Sequence, residues 1–185
     1  MLRRCVLFLC LASIALAKTP RPLANIIIQT PDRKGIDLKK YRGKVVFLVL
    51  FATSCDECVG VVNLMGKLQR DYAARGFQAI GAAVDDNAAY LLTPFIQRYR
   101  PTIPVGFLEK EALIKIADIP QGQRPYVPIL MFIDHKGTAR FQYYGNDPFL
   151  KDVDKGTRAI LTGLMNARDS GREPERITAP ARPKQ

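Results

Sequence analysis

Two cysteines three residues apart are the side chains best suited to chemistry in this sequence. Cys55 and Cys58 enclose only Asp56 and Glu57, and two thiols at this spacing can close a small disulfide or exchange one with another molecule. A purely structural disulfide between them would contribute little to stability, because the loop that it closes is very short. The spacing therefore predicts a working disulfide.

The residues on either side of the pair predict where it lies. The unbroken apolar run Val45–Phe51 is typical of a strand that is covered on both faces. After Cys58 the apolar residues recur at intervals of three and four, which predicts one face of a helix that ends near Arg75. These apolar residues are Val61, Leu64, Met65, Leu68 and Tyr72. Cys55 is thus expected where a strand ends and a helix begins.

The start of a helix favours a thiolate. Free backbone N–H groups and the positive end of the helix dipole meet there and stabilise an anion. The pKa of a cysteine in such a position is lowered, and the thiolate is the nucleophile in disulfide exchange. We therefore expect Cys55 to attack and Cys58 to resolve the mixed disulfide.

Further strands and helices are predicted on both sides of the strand-to-helix junction at Cys55, and they hold it in place. We expect a capping segment, Asp85-Asp86-Asn87, before the second helix, which has Pro94 in its interior. The order predicts an α/β layer sandwich with a central mixed β-sheet flanked by helices. The predicted elements are a short strand at 26–29, a strand at 77–84, a helix to about Tyr99, a short helix at 109–117, a hairpin of strands 128–134 and 138–144, and a last helix within 149–167.

Composition indicates one globular domain with a basic surface. The chain has 185 residues, 48% of them apolar and 24% charged, with a formal net charge of +11. Such a charge favours acidic partners or an anionic membrane surface, or it is a solvated surface without a partner. No basic helix or aromatic-interleaved patch in the sequence indicates binding of nucleic acid.

The two ends of the chain are expected to lie outside the folded domain. Residues 1–17 have two arginines, a short apolar run and an Ala-x-Ala end, which is the pattern of a secretory signal peptide. An uncleaved membrane anchor is the alternative. Cleavage removes Cys5 and Cys10, so the mature chain, periplasmic or secreted, keeps only the pair at 55 and 58. Residues 168–185 are predicted to be a disordered tail, which leaves residues 18–167 for the domain.

Three separated motifs resemble the thioredoxin fold and, within it, the extracytoplasmic TlpA/ResA-like thiol–disulfide oxidoreductases. The first leads into the central strand, the second spans the cysteine pair, and the third contains a proline late in the chain. Their residues are Gly35, Leu38 and Tyr41–Val46; Phe51–Cys58; and Tyr126–Asp134 with Lys136 and Gly137. The likeness covers residues 23 to 167, in the family's order and spacing.

The resemblance implies a thioredoxin-like three-layer sandwich and a substrate-binding site. It implies a cis bond between Val127 and Pro128, facing the disulfide. It also implies that Val127 offers its backbone groups to an extended substrate, as a strand added at the site. The alternative is a trans proline at the first residue of a strand.

The chain departs from the family at several positions. It contains no tryptophan, whereas the family usually has one where Phe51 and Ser54 stand. Val49 and Val61 occupy the places of the acid that assists proton transfer. Thr53, Ser54, Asp56 and Glu57 are candidate modulators of the cysteines. The last two carry negative charge that disfavours a nearby thiolate, so we expect a reductase.

Three functions follow from these residues. The first is a thiol–disulfide oxidoreductase that acts on protein disulfides and is recycled by an upstream thiol donor. The second is a peroxiredoxin-like thiol peroxidase with antioxidant activity, although Leu48 and Ala52 stand where that family has proline and threonine. The third is a copper-binding assembly factor that would use His135, the only histidine. We expect no cofactor, no metal, no nucleic-acid partner and a monomer.

Overall fold

The computed structural model describes residues 19–23, 26–120, 122–123 and 126–173, and these contain eight strands and four α-helices. The strands are β1 (Arg21–Pro22), β2 (Ile27–Ile28), β3 (Ile36–Asp37), β4 (Val45–Phe51), β5 (Phe77–Ala83), β6 (Val105–Phe107), β7 (Ile129–Ile133) and β8 (Thr138–Tyr143). The helices are α1 (Asp56–Tyr72), α2 (Ala88–Tyr99), α3 (Lys110–Ala117) and α4 (Val153–Asp169). Short 3-10 helices span Leu38–Tyr41, Ala73–Arg75 and Pro148–Asp152.

The main sheet is mixed and has six strands in the order β1-β8-β7-β4-β5-β6. Strands β4, β5 and β6 are parallel neighbours, whereas β7, β8 and β1 continue the sheet in antiparallel pairs. The strands β2 and β3 form a separate antiparallel ribbon. The carboxyl ends of β4 and β5 and the amino end of β7 therefore lie at the same edge of the sheet.

The sheet is covered on both faces, which gives three layers. Every residue of β4 is buried, as the unbroken apolar run predicts for a central strand. Alternate residues of β4 belong to two separate clusters. One cluster is completed by α1, α2 and α4, and the other by α3 together with β2 and β3. The predicted three-layer sandwich with a central mixed sheet is confirmed.

The boundaries of some elements differ from the predictions. Asn87 is the N-cap of α2 but makes no side-chain capping hydrogen bond, and α2 continues through Pro94. The last α-helix begins at Val153, after a 3-10 helix, and ends at Asp169. Glu173, which the sequence analysis assigned to a tail, pairs with Lys136 and Arg140. The predicted leader and residues 174–185 lie outside the described residues.

Candidate active site

The cysteine pair lies where β4 gives way to α1, as the sequence predicts. Cys55 is the N-cap residue of α1, with extended backbone angles, and its N–H donates to the carbonyl of Ala52 at 3.2 Å. The sulfur of Cys55 accepts a hydrogen bond from the backbone N–H of Cys58 at 3.2 Å. A side chain in this position satisfies one of the free N–H groups of the first helical turn.

The two cysteines form a disulfide, with their Cα atoms 5.2 Å apart. Cys58 is completely buried, whereas Cys55 is partly exposed. Asp56 and Glu57 lie between them, exposed in the first turn of α1. An external thiol or disulfide can therefore reach the sulfur of Cys55 more easily than that of Cys58.

The carboxylate of Asp85, which was not among the predicted site residues, binds the chain just before Cys55. Both oxygens of Asp85 accept the backbone N–H of Thr53, at 3.1 and 3.0 Å, and one of them also accepts its hydroxyl at 3.2 Å. The local sequence predicts that Asp85 is part of the cap of the second helix. Its side chain instead joins the end of β5 to the end of β4. The sequence carries no signal for this contact, because the two residues are 32 positions apart.

The proline strand lies across from the end of β4. The Val127–Pro128 bond is cis, which agrees with the expectation from the family resemblance. Ile129 is paired with Leu50 in the antiparallel register, so Pro128 lies one position further on, where β4 ends and the cysteine segment begins. Val127 and Cys55 both pack against the same hydrophobic cluster.

Gly145 supports the proline strand from the loop after β8. Its backbone N–H donates to the carbonyl of Tyr126 at 3.0 Å. A Cβ atom at this position would collide with the carbonyl group of Val127 and crowd the nitrogen of Pro128. Only glycine leaves room here for the peptide that precedes the proline. The sequence analysis did not identify this residue.

The positions at which the chain departs from the family are apolar in the structure. Val49 and Val61 are both buried, so no carboxylate is present at either place. Phe51 is fully buried and packs against Phe95 of α2, with ring centroids 4.9 Å apart. Ser54 is exposed. Among these site residues, Thr53 is the one that contacts a carboxylate through its side chain.

A groove of about 1010 Å³ opens beside Asp85, between the end of β5 and α3. Asp86, Glu109 and Glu111 give it an acidic rim, and Leu113 and Ile114 line it with apolar surface. Ile114 is 43% exposed. The groove thus offers an apolar surface with negative charge close to the cysteine segment.

His135 is at the other end of the sheet from the cysteines. It lies in the turn between β7 and β8, and its carbonyl accepts the N–H of Gly43. The structure therefore does not bring it to Cys55 and Cys58 as a shared ligand set would require. In the part of the chain that the structure describes, no three His, Cys, Asp or Glu side chains are grouped to hold a metal ion.

None of the helices that the structure describes is both long enough and apolar enough to cross a bilayer.

Curated relatives match about half of the chain. Thiol-disulfide oxidoreductase ResA of Halalkalibacterium halodurans is 30% identical over 95 residues, which are 51% of this chain and 53% of that protein. ResA of Bacillus thuringiensis subsp. konkukian is 28% identical over 91 residues, which are 49% and 52% of the two chains. The matched segment thus spans about half the length of these relatives.

Solved structures share the fold over most of the chain. A thiol:disulfide interchange protein of the thioredoxin family from Chlorobium tepidum has a TM-score of 0.63 and 23% identity, covering 82% of this chain and 99% of that one. The thioredoxin domain of a thiol-disulfide oxidoreductase from Bacteroides vulgatus has a TM-score of 0.62 and 15% identity, covering 78% and 99%. At these identities the likeness establishes the thioredoxin-like fold.

The family assignment comes from a match over most of the described domain. The AhpC/TSA family matches residues 21–142, a range that contains the cysteine pair, Asp85 and the proline strand. The range ends within β8, before Gly145 and α4. With the fold and the position of the disulfide, this match shows that the chain belongs to the AhpC/TSA family.

Proposed function

We propose that the protein is a thiol–disulfide oxidoreductase that reduces protein disulfides outside the cytoplasm. The observation that carries this proposal is the Cys55–Cys58 disulfide at the start of α1, with one sulfur partly exposed and the other buried. An exchange reaction needs this difference in exposure, because one sulfur must contact the substrate and the other must stay in place to attack the first sulfur afterwards. The names of the curated relatives support the same reaction class.

The reaction has two exchange steps. In the reduced protein, the Cys55 thiolate attacks one sulfur of a substrate disulfide, a mixed disulfide forms, and one substrate thiolate leaves. Cys58 then gives its proton to the substrate thiolate that has left, and its own thiolate attacks the sulfur of Cys55 and releases the second substrate thiolate, which takes a proton from water. The substrate disulfide becomes a dithiol, and the protein dithiol becomes the disulfide present in the structure. An upstream thiol donor returns the protein to the reduced state.

The surrounding residues have positioning roles in this proposal. Val127, before Pro128, offers its backbone groups to an extended substrate segment at the end of β4. Thr53, held by Asp85, fixes the chain that leads into Cys55. The exposed neighbour Ser54 leaves the approach to the sulfur open.

The reducing direction follows from charge. Asp56 and Glu57 are exposed carboxylates in the first turn of α1, and their negative charge disfavours a thiolate at Cys55. A destabilised thiolate makes the dithiol a better electron donor and lowers the reduction potential of the pair. The helix N-terminus acts in the opposite sense, so the two carboxylates offset part of its effect.

The proposal includes the setting in which the protein works. Residues 1–17 act as the export signal, and the domain that follows works as a monomer and includes α4 and the ion pairs of Glu173. The partners are protein disulfides and a thiol donor, together with an anionic membrane surface. The composition of the first 17 residues supports the export signal, and the formal net charge of +11 supports the membrane surface.

Turnover of a protein disulfide tests the proposal. With excess dithiol, the protein should accelerate reduction of insulin disulfides, and Cys55→Ser should abolish the acceleration. The reduction potential should lie near those of thioredoxin-like reductants, at about −230 to −270 mV. No acceleration at all would reject the oxidoreductase assignment, and a potential near about −120 mV would reject the reducing direction.

A thiol peroxidase is the second candidate, and the match to the AhpC/TSA family favours considering it. Against it, the hydroxyl of Thr53 donates to Asp85, and Leu48 is buried within β4. Consumption of hydrogen peroxide with a thiol donor separates the two activities. A peroxidase rate that exceeds the rate of insulin reduction would favour this candidate.

A further inference from the structure

Several turns of the chain meet at the end of the sheet that lies opposite the disulfide. The N–H of Gly43 donates to the carbonyl of His135 at 2.8 Å, and that of Val45 donates to the carbonyl of Gly76 at 2.9 Å. The guanidinium of Arg168, at the end of α4, also donates to Gly76 at 3.2 Å. We call the surface formed by residues 37–44, 73–76, 134–140 and 166–173 the basic pole.

Positive charge predominates at the basic pole. Nine basic residues against four acidic ones leave it with a net charge of +5. Three of the four carboxylates are already used in ion pairs: Asp134 with Arg140, Asp169 with Arg168, and Glu173 with Lys136 and Arg140. The remaining cations are exposed, and none forms an ion pair with a carboxylate in the described part of the chain; they are Lys39, Lys40, Arg42, Lys44, Arg75 and Arg172.

The end of the molecule that carries the disulfide has the opposite charge. Residues 52–57, 84–87, 108–111 and 144–147 contain seven acidic residues and one basic residue, a net charge of −6. The seven residues of β4 separate the two ends, which is a distance of about 20 Å at the rise of a strand. The protein therefore carries net charges of opposite sign at the two ends of β4, although the chain as a whole is strongly basic.

Resting on the membrane-surface association included in the proposed function, we propose that the basic pole docks on an anionic phospholipid surface and that the disulfide then faces away from the membrane. Each exposed lysine or arginine near such a surface strengthens binding about fivefold, and the attraction falls off within a Debye length. Five of the unpaired cations lie on adjacent turns, so they can meet one plane together; these are Lys39, Lys40, Arg42, Lys44 and Arg75. The disulfide, about 20 Å away, lies beyond the Debye length of about 10 Å.

Two features favour lipid over nucleic acid as the partner. The rings of the pole are Tyr41, which is partly buried beneath Lys44, and His135, which is also partly buried, so the pole offers no fully exposed ring on which bases could stack. No described helix of the pole presents a row of cations that could follow a groove. A group of exposed cations on adjoining turns suits a headgroup surface better than a phosphate backbone.

Vesicle binding by the full chain tests this proposal independently of the redox activity. The chain should bind vesicles of phosphatidylcholine with phosphatidylglycerol at about 50 mM salt and should be released at about 0.5 M salt, where the Debye length is short. Equally tight binding to vesicles of phosphatidylcholine alone would show that the apolar N-terminal run, and not headgroup charge, carries the binding, and it would overturn the proposal.

The triple variant Lys39→Gln, Lys40→Gln, Lys44→Gln should weaken binding to the anionic vesicles about 100-fold. The matched control neutralises Lys67, Lys115 and Lys151, which are exposed residues on other faces and change the net charge equally. It should bind within about threefold of the unaltered chain, because those lysines lie outside the contact. Equal weakening by both variants would show that net charge alone acts and would overturn the proposal.

Two further readouts test the partner and the orientation. A short DNA duplex that binds more tightly than anionic vesicles at the same salt would overturn the choice of lipid. The rate at which a soluble dithiol reduces the Cys55–Cys58 disulfide should not change when the protein is bound to vesicles. A marked slowing would show that the disulfide faces the membrane and would overturn the orientation.

Discussion

The carboxylate of Asp85 accepts hydrogen bonds from the backbone N–H and from the hydroxyl of Thr53, at distances of 3.0 to 3.2 Å. Thr53 lies two residues before Cys55, so this contact fixes the last part of the path from β4 to α1. The family resemblance offered no residue in this role, and the acid positions that it did suggest are occupied by valines. Asp85 is therefore the carboxylate that the structure connects to the cysteine segment.

Replacing Asp85 should loosen that segment. Asp85→Ala removes all three acceptor contacts, and hydrogen bonds to a charged group contribute about 1.5–3 kcal/mol, so we expect a fall of about 2 kcal/mol in the free energy of unfolding. Asp85→Asn keeps one acceptor oxygen and should lose less. Urea denaturation measures both. Asp86→Ala is the control, since Asp86 is exposed, and an equal loss there would contradict a specific role for the Thr53 contact.

The sequence predicted the elements around the disulfide because each has a strong local pattern. Val45–Phe51 is apolar at every position, and the residues after Cys58 keep one helical face. Contacts between distant segments leave no such pattern. Asp85 looks like a helix cap beside Asn87, yet its partner is Thr53, and nothing in the local sequence distinguishes the two possibilities.

Gly145 should be required for the shape of the proline strand. Gly145→Ala places a Cβ against the carbonyl of Val127, and such overpacking costs about 1–3 kcal/mol. We expect kcat/KM for a protein disulfide to fall at least about tenfold, because the displaced peptide is the one proposed to bind substrate. Steady-state insulin reduction measures this.

Gly60→Ala is the matched control for that substitution. Gly60 lies in α1 with no atoms near the added Cβ, so the change should stabilise the helix by about 0.5–1 kcal/mol and leave kcat/KM unaltered. If Gly145→Ala behaved in the same way, the proposed link between Gly145 and Val127 would be wrong.

The charges beside the cysteines should set the reduction potential. Asp56→Asn with Glu57→Gln removes two negative charges near the Cys55 thiolate, which stabilises the reduced form. We expect the potential to become less negative by about 10–20 mV per charge. Equilibration with glutathione buffers measures it. Glu111→Gln, in the first turn of α3, is the control and should leave the potential unchanged; a more negative potential for the double variant would contradict the account.

Glu173 should anchor the end of the chain in a pH-dependent manner. Hydrogen bonds from Lys136 and then from Arg140 hold the pKa of its carboxyl below the ordinary value. A lowered pKa in the folded state means that the anchor is fully present above the ordinary pKa, weakens below it, and is lost as the pH falls through the lowered pKa. Amide hydrogen exchange of residues 170–173 should therefore gain extra opening below about pH 4.5. Glu173→Gln should show that opening already at neutral pH, and unchanged exchange in this variant would refute the anchor.

The segment after α4 also shows why the ends were the hardest part to predict. Residues 168–173 have few large apolar side chains and were expected to be unstructured. Glu173 nevertheless reaches the hairpin between β7 and β8, where Lys136 and Arg140 lie. Ion pairs of this kind depend on where distant turns meet, and composition does not report that.

The most direct test of the exchange mechanism is to trap its intermediate. Cys58→Ser retains the partly exposed nucleophile and lacks the buried resolving sulfur, so it should accumulate mixed disulfides through Cys55 with protein substrates. Cys55→Ser retains only the buried sulfur and should accumulate none. Non-reducing electrophoresis with mass spectrometry of the linked peptides reads out both. Mixed disulfides in Cys58→Ser alone are the predicted result, and equal trapping by both variants, or trapping through Cys58, would contradict the account.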